Sequence, residues 1–353
     1  MQDPLVVVGL NRIDAASEQC SAEVSSEGVW KYTLVHDANK LTEKAVSGLS
    51  DKLRHNVHTV ITCSFAYDSF AYQKVMCNDR IRPSDVMGAL GVSFERVLHS
   101  YLPHICNILR VDAHCASGLI ALDLADMIAR RDKSVVLIAG MNKSTTSRLL
   151  NLFVAIGAAA KLPHIYSSPF DLNRSGLVMG ECAAMLAVTT ASQAQAKGLD
   201  IVAVIDTVKV QTIFSLTAPS DATLLQQFIN HTVKDSQRSL PLFACWDAHA
   251  TATPQGDEIE YNIFSNIFNH QDTVISSFKG RVGHCMAVSA LTEIVNAIQH
   301  LQRRIISPNF GLDNPMVSDP RLITDTVSTN KKTFIKTSFG FGGKNAATVI
   351  TVQ

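Results

Sequence analysis

Short apolar runs rich in β-branched residues recur from one end of this 353-residue chain to the other. Residues 5–8, 57–62, 135–139, 184–189, 201–205 and 348–352 all read as strands. Helix-length stretches lie between several of them. Residues 117–131 carry Ile120, Leu124, Met127 and Ile128 at helical spacing, and residues 287–304 carry Leu291, Ile294, Val295, Ile298 and Leu301 in the same pattern. Strands alternating with helices define an α/β protein. The strand runs are nearly all apolar, so the sheets are expected to be covered on both faces.

The length exceeds the size at which one hydrophobic core stops growing, which predicts two core units. A long-period symmetry points the same way. Around Cys115 a strand-like run, residues 105–111, leads through a tight turn into a helix. Around His284 a run, residues 273–278, leads through Lys279-Gly-Arg-Val-Gly283 into another. The stretch near 192–200 interrupts the strand pattern, so the expected halves are 1–195, holding Cys115, and 196–353, holding His249 and His284.

Hydrophobic residues make up 46% and charged residues 18%, the composition of an ordered protein. Lys plus Arg (31) equals Asp plus Glu (31), so no general attraction to nucleic acid or an anionic membrane is expected. The N-terminus lacks the basic and long apolar regions of a signal peptide, and no stretch reaches transmembrane length. A cytoplasmic protein is the expectation. Eight cysteines are spread along the chain with no CxxC pair, which argues against a zinc site or a disulfide framework. Most should be small buried hydrophobes.

Cys115 has a distinctive setting, Val111-Asp-Ala-His-Cys-Ala-Ser-Gly118, with small residues around the thiol and a helix following. Backbone N–H groups and the positive end of a helix would stabilise a thiolate and lower its pKa. The same N–H groups would cradle an oxyanion. The structural alternative is a buried cysteine that is small enough to begin a core helix. His249 lies where a strand end enters the polar loop Ala250-Thr-Ala-Thr-Pro-Gln-Gly256, and His284 lies beside Gly280 and Gly283. The chain holds 12 histidines, and local sequence does not single out these two. Chemistry gives a reason for wanting a pair: two imidazole N–H groups stabilise the enolate formed when a malonyl thioester loses carbon dioxide. Lys279 adds positive charge that biases their protonation.

Five segments, in order, resemble the signatures of β-ketoacyl synthases, the elongating ketosynthases of the thiolase superfamily. They are AHCASG at 113–118, FDLNRSGLVMGE at 170–181, AHATATPQGD at 248–257, KGRVGH at 279–284 with Glu293 beyond it, and SFGFGGKN at 338–345. The resemblance implies a thiolase-like fold in which two similar α/β halves form a five-layered α-β-α-β-α arrangement. It implies that Cys115 is acylated and that His249 and His284 support decarboxylation and condensation, with Lys279 and Glu293 as the supporting pair. Thr251 and Thr253 would bind a phosphopantetheine arm carried by the substrate or acyl carrier protein, so no cofactor of the enzyme's own is expected. The backbone N–H groups of Cys115 and Phe341 would form the oxyanion hole, with Phe341 as a gate. Residues 170–181 are expected to be structural, through an Asp171–Arg174 bridge and a glycine turn. An acyl carrier protein, an acyl or malonyl thioester, and a second chain, identical or related, are the implied partners. Pairing is expected through the strand at 134–140.

The sequence departs from the family at several points. The region before Cys115 is short, and residues 14–58 show no match. His114 and Ala250 replace small residues or glycine, Cys182 replaces a glycine, and Lys344 replaces a threonine. These changes suggest a specialised fatty-acid or polyketide-type pathway. They leave open a cysteine acyltransferase acting without decarboxylation, and a non-catalytic protein resembling a chain-length factor. Acyl-chain length, and the choice between a CoA and a carrier-protein donor, are not encoded in any single motif.

Overall fold

The structure is a computed structural model that describes residues 3–14, 20–24, 30–34, 38–63, 82–83, 92–143, 147–160, 168–215 and 221–353. Ten strands form its main sheet. In chain order they are β1 (Leu5–Asp14), β2 (Val57–Cys63), β3 (Asn107–Val111), β4 (Val135–Asn142), β5 (Cys182–Thr190), β6 (Ala203–Thr212), β7 (Phe243–Asp247), β8 (Val274–Ser276), β9 (Thr333–Gly340) and β10 (Lys344–Val352). Their spatial order is β3-β2-β4-β5-β1-β6-β10-β9-β7-β8.

That order contains one pattern twice. In the first five strands, β2 is parallel to β3 and β4, while β4–β5 and β5–β1 are antiparallel. In the second five, β7 is parallel to β8 and β9, while β9–β10 and β10–β6 are antiparallel. The two sets meet edge to edge where Leu5, Val6 and Val7 pair with Ile205, Val204 and Ala203.

Helices fill the remaining layers: α1 (Ala38–Ser47), α2 (Val92–Tyr101), α3 (Ser117–Asp132), α4 (Ala222–Asp235), α5 (Pro254–Ile267) and α6 (Ser289–Gln302). Helices α3 and α6 touch each other and strands of both sets, so they form the middle layer. Helix α1 covers the first set from outside with α2 against it, and α4 covers the second set with α5 against it. The result is the expected α-β-α-β-α stack. The largest core cluster lies around α3 and α6 and draws on both sets of strands, two further clusters lie under α1/α2 and under α4/α5, and a smaller one gathers Leu150, Phe153, Leu177, Met179 and Met286.

Strands β4, β5, β9 and β10 are buried almost throughout, as their apolar runs require. Helix α6 buries Leu291, Ile294, Val295, Ile298 and Leu301 as its spacing predicts. In helix α3, Ile128 is buried as its spacing predicts and Ile120 and Leu124 pack partly buried against the core, but Met127 does not follow. Met127 is 56% exposed, while Leu119, Ala121, Leu122, Ala125 and Ala129 are buried. A middle layer needs small residues where two helices approach. A side chain at Gly118 would sit 3.2 Å from Leu291.

The strand chosen for pairing between chains must be corrected. Strand β4 has β2 on one side and β5 on the other, so its backbone groups are already used. Among the described residues, the open edge of the first set is β3, where Leu109 is 39% exposed. Among the cysteines, Cys63, Cys115, Cys182, Cys245 and Cys285 are buried and Cys106 is exposed. Cys77 and the side chain of Cys20 lie outside the described residues. No helix of the described residues is long and apolar enough to cross a membrane.

The shared middle layer yields a stability prediction. Leu291→Ala removes a fully buried side chain where α6 meets α3, and should cost about 2–5 kcal/mol. Urea unfolding should show a lower midpoint with an unchanged slope.

Candidate active site

One turn geometry is used twice to place the reactive groups. Before α3, a 3-10 turn (His114–Ala116) begins with His114 at φ 52°; before α6, a 3-10 turn (Met286–Val288) begins with Met286 at φ 53°. A left-handed backbone is uncommon for non-glycine residues, but histidine is among those that adopt it, so His114 suits its position. Ser117 Oγ closes the first turn, accepting from the Ala113 N–H (2.8 Å) and donating to the His114 carbonyl (2.6 Å). In the second turn the matching residue, Ser289, places its Oγ 2.8 Å from His284 Nδ1.

The two turns face each other. His284 Nε2 lies 3.1 Å from Cys115 Sγ, and both residues are buried. Residues 170–181 hold this histidine by its backbone: its N–H donates to Val178 O (2.7 Å), and its carbonyl accepts from Gly180 N (3.0 Å). Gly283, at φ 74°, makes the approach possible; a Cβ there would sit 2.9 Å from the Met179 carbonyl carbon. The structural role expected for 170–181 is therefore real, but not through an Asp171–Arg174 bridge. The Asp171 carboxylate caps the N–H groups of Asn173, Asp313 and Asn314. Arg174 donates to the carbonyls of Asp171 and Pro254, and its Nε lies 3.7 Å from Asp257.

His249 follows the end of β7. Glu260 on α5 accepts from the N–H groups of His249 and Ala250, both at 2.8 Å, and from Thr337 Oγ1 at 2.6 Å. The His249 ring meets His284 edge-on with centroids 5.6 Å apart, and Phe339 at 5.5 Å. Its Nδ1 is buried with no hydrogen-bond partner among the described residues. Ala250 needs no glycine-like backbone, since its φ is not positive. Cys182 is buried at the start of β5, where it accepts from Thr292 Oγ1, and Lys344 begins β10 at the half-exposed rim.

Cys115, His249, His284, Thr251, Thr253 and Phe341 line one cleft of about 430 Å³, whose wall also includes Ile156, Leu177, Phe339 and the stretch Pro254–Gly256. Thr251 and Thr253 place their hydroxyls 3.2 Å apart. Phe341 packs against Phe153, with centroids 6.2 Å apart. Lys279 and Glu293 are not in the cleft. They lie behind the histidines as a fully buried ion pair, Nζ to Oε1 2.6 Å.

A group missed from the sequence completes this pair. Lys336 on β9 also pairs with Glu293, and its Nζ lies 3.3 Å from Asp247 Oδ1. Ser338, two residues on, donates to the Cys115 carbonyl at 2.7 Å. A lone lysine in the apolar run Phe334-Ile-Lys-Thr-Ser338 was the available signal.

Electrostatics reverse one expectation. Cys115 sits in the 3-10 turn ahead of α3, and burial pushes its thiol up to about 12, opposed by Lys279. Both histidines are held well below the ordinary value, first by burial and then by Lys279, with Lys336 adding to it. The resting site is thus a neutral thiol beside neutral imidazoles. The matching arrangement has S–H donating to His284 Nε2 and Nδ1–H donating to Ser289. Burial also raises Asp247 to about 6, opposed by Lys336.

Comparisons with known proteins fit this geometry. A model of the β-ketoacyl synthase N-terminal domain matches residues 107–194, and one of the β-ketoacyl synthase C-terminal domain matches residues 202–313. A component of the polyunsaturated fatty acid synthase of Thraustochytrium sp. is 27% identical over 276 residues, covering 68% of this chain and 9% of that protein. The chloroplastic 3-oxoacyl-(acyl-carrier-protein) synthase I of Hordeum vulgare is 27% identical over 251 residues, covering 68% of this chain and 54% of that enzyme. The chain therefore spans about half the length of the second relative and about a tenth of the first. A solved structure of a type II polyketide synthase acyl-carrier protein, in complex with its ketosynthase bound to the hexaketide, superposes with a TM-score of 0.84. Its identity is 18%, and both chains are fully covered. The solved structure shares the thiolase-like architecture of this chain. The chain belongs to the β-ketoacyl synthase family.

The raised thiol pKa gives a direct prediction. A group raised above its ordinary value keeps its proton longer as pH rises. Iodoacetamide labelling of the Cys115 peptide, followed by mass, should therefore climb with pH through 9 without a plateau. A plateau already reached near pH 6 would mean a standing thiolate–imidazolium pair.

Proposed function

We propose that this protein is a decarboxylating β-ketoacyl synthase. The observation that carries the reading is the pairing of Cys115 Sγ with His284 Nε2 at 3.1 Å in a cleft that a second histidine ring also lines. In the first step the S–H proton passes to His284 Nε2, and Sγ attacks the carbonyl of an acyl thioester. Backbone N–H groups of Cys115 and Phe341 hold the oxyanion. The C–S bond to the carrier breaks, and the departing thiolate takes the proton. In the second step a malonyl thioester enters, its pantetheine arm bonded to Thr251 and Thr253. Its C–C bond to the carboxylate breaks and carbon dioxide leaves. The electron pair becomes an enolate whose oxygen accepts from imidazole N–H groups of His249 and His284. The Ser289 hydroxyl can accept from Nδ1 or donate to it, so it serves both tautomers of His284. The carbanion then attacks the acyl carbon, and Cys115 leaves as a thiolate that takes up one proton.

The reading includes an acyl carrier protein as donor and a specialised fatty-acid or polyketide-type pathway. The alternative acyltransferase needs a base but no enolate stabiliser, and a chain-length-factor-like protein needs no nucleophile. His249→Ala and His284→Ala separate these readings. Each should slow carbon dioxide release from malonyl carrier protein by about 10²–10³, the cost of one preorganised donor. Acyl-enzyme formation should fall far less in His249→Ala, whereas His284→Ala also removes the group that takes the Cys115 proton and should slow loading too. Variants that release carbon dioxide normally but fail to load would favour the acyltransferase.

The reading also includes a dimer, with itself or a related chain, formed through the open β3 edge; closed two-fold pairs are the commonest oligomers. Leu109→Glu places a charge on that edge and should convert the dimer to a monomer by light scattering. A wild-type protein that stays monomeric at micromolar concentration, alone and with candidate partners, would contradict it.

A further inference from the structure

Every position of β9 is buried, and Lys336 lies in its middle with no exposure at all. A lysine in that place is costly unless its charge and donors are all used. Its Nζ reaches Ala248 O at 3.0 Å, Asp247 O at 3.3 Å and Asp247 Oδ1 at 3.3 Å, and it pairs with Glu293 Oε2. One ammonium group therefore joins three elements: β9, the last turn of chain before His249, and α6. Glu293 has a second partner in Lys279, so it does not need Lys336 for neutralisation. The two carbonyls immediately before His249 are what distinguish Lys336 from Lys279.

We propose that Lys336 is a positioning residue for His249, fixing the end of β7 against Glu293 so that the two imidazoles meet at one oxygen of the substrate. This rests on the ketosynthase reading for its chemistry, but the geometry is independent of it. Three consecutive residues of β9 then act on the site. Lys336 holds the backbone before His249. Thr337 steadies Glu260, which holds the N–H groups of His249 and Ala250, and Ser338 holds Cys115. Asp247 balances the charge that this arrangement brings into the interior.

The test uses the full chain with Lys336→Met, Asp247→Asn and the double variant. Lys336→Met should slow carbon dioxide release from malonyl carrier protein about 10²-fold, the scale of an ångström of misplacement. The loss should fall on kcat, with KM kept, because Thr251 and Thr253 are untouched. Iodoacetamide labelling of Cys115 should change little, because the Cys115–His284 contact does not pass through Lys336. Asp247→Asn keeps the donor to both carbonyls and should retain most of the rate. The double variant removes the unpaired carboxylate. It should recover the melting temperature lost in Lys336→Met, yet remain slow. If the double variant regains rate together with stability, or if Lys336→Met keeps the wild-type rate, Lys336 only balances charge and the proposal fails. Should wild-type protein release no carbon dioxide, the ketosynthase reading fails instead. The imidazole C2–H signals then decide: in Lys336→Met the His249 signal should move further than that of His284, which loses only the charge of Lys336 and not a backbone anchor.

Discussion

Two lysines and two carboxylates occupy the dry space between β7, β9 and α6, and the geometry of the site depends on their staying paired. Lys279 and Lys336 share Glu293, and Lys336 also meets Asp247. Removing one partner from such a group strands a charge, at a cost of about 3–5 kcal/mol. The elements carrying these side chains therefore cannot slide independently. Helix α6 brings Glu293 to the network, and the turn at its start carries Ser289, which meets His284. Strand β7 brings Asp247 and is followed at once by His249. Burial first, and then the charges of Lys279 and Lys336, keep both imidazoles neutral, the state in which an imidazole can donate an N–H or receive a thiol proton.

The duplicated topology explains why reactive groups from distant parts of the chain meet. Each five-strand set ends a parallel strand in a loop near the middle layer, and each middle helix begins after the same 3-10 turn. One copy of the turn carries Cys115. The other follows His284. Facing helices α3 and α6 bring the two turns to hydrogen-bonding distance, although 169 residues separate Cys115 from His284. Gly340 keeps the junction tight, since a side chain there would sit 2.9 Å from the Ala113 carbonyl.

Much of this was legible in the sequence. Alternating apolar runs gave the α/β class, and α6 was visible in its spacing because all its large apolar residues are buried. Helix α3 was harder: a helix between two sheets hides small residues, so Ile120, Leu124 and Met127 marked the less buried face. The five family-like segments named the side chains that line the cleft, where local sequence alone did not single out the two histidines. They did not identify Asp247, Glu260, Ser289 or Lys336, whose partners lie far away in sequence. The Asp171–Arg174 bridge looked natural at three residues' separation, yet Arg174 turns to Asp257 and Pro254. The thiol was misjudged because the favourable field of a helix start was weighed without the burial that outweighs it.

The central claim is that Cys115 is the acylated nucleophile of a condensing enzyme. It is tested most directly by incubating the protein with a panel of acyl thioesters and mapping the added mass. The account predicts a single acyl group on the Cys115 peptide, absent from Cys115→Ala, and removed when malonyl carrier protein is added. An acyl group carried by another residue, or loading at the wild-type rate in Cys115→Ala, would contradict it.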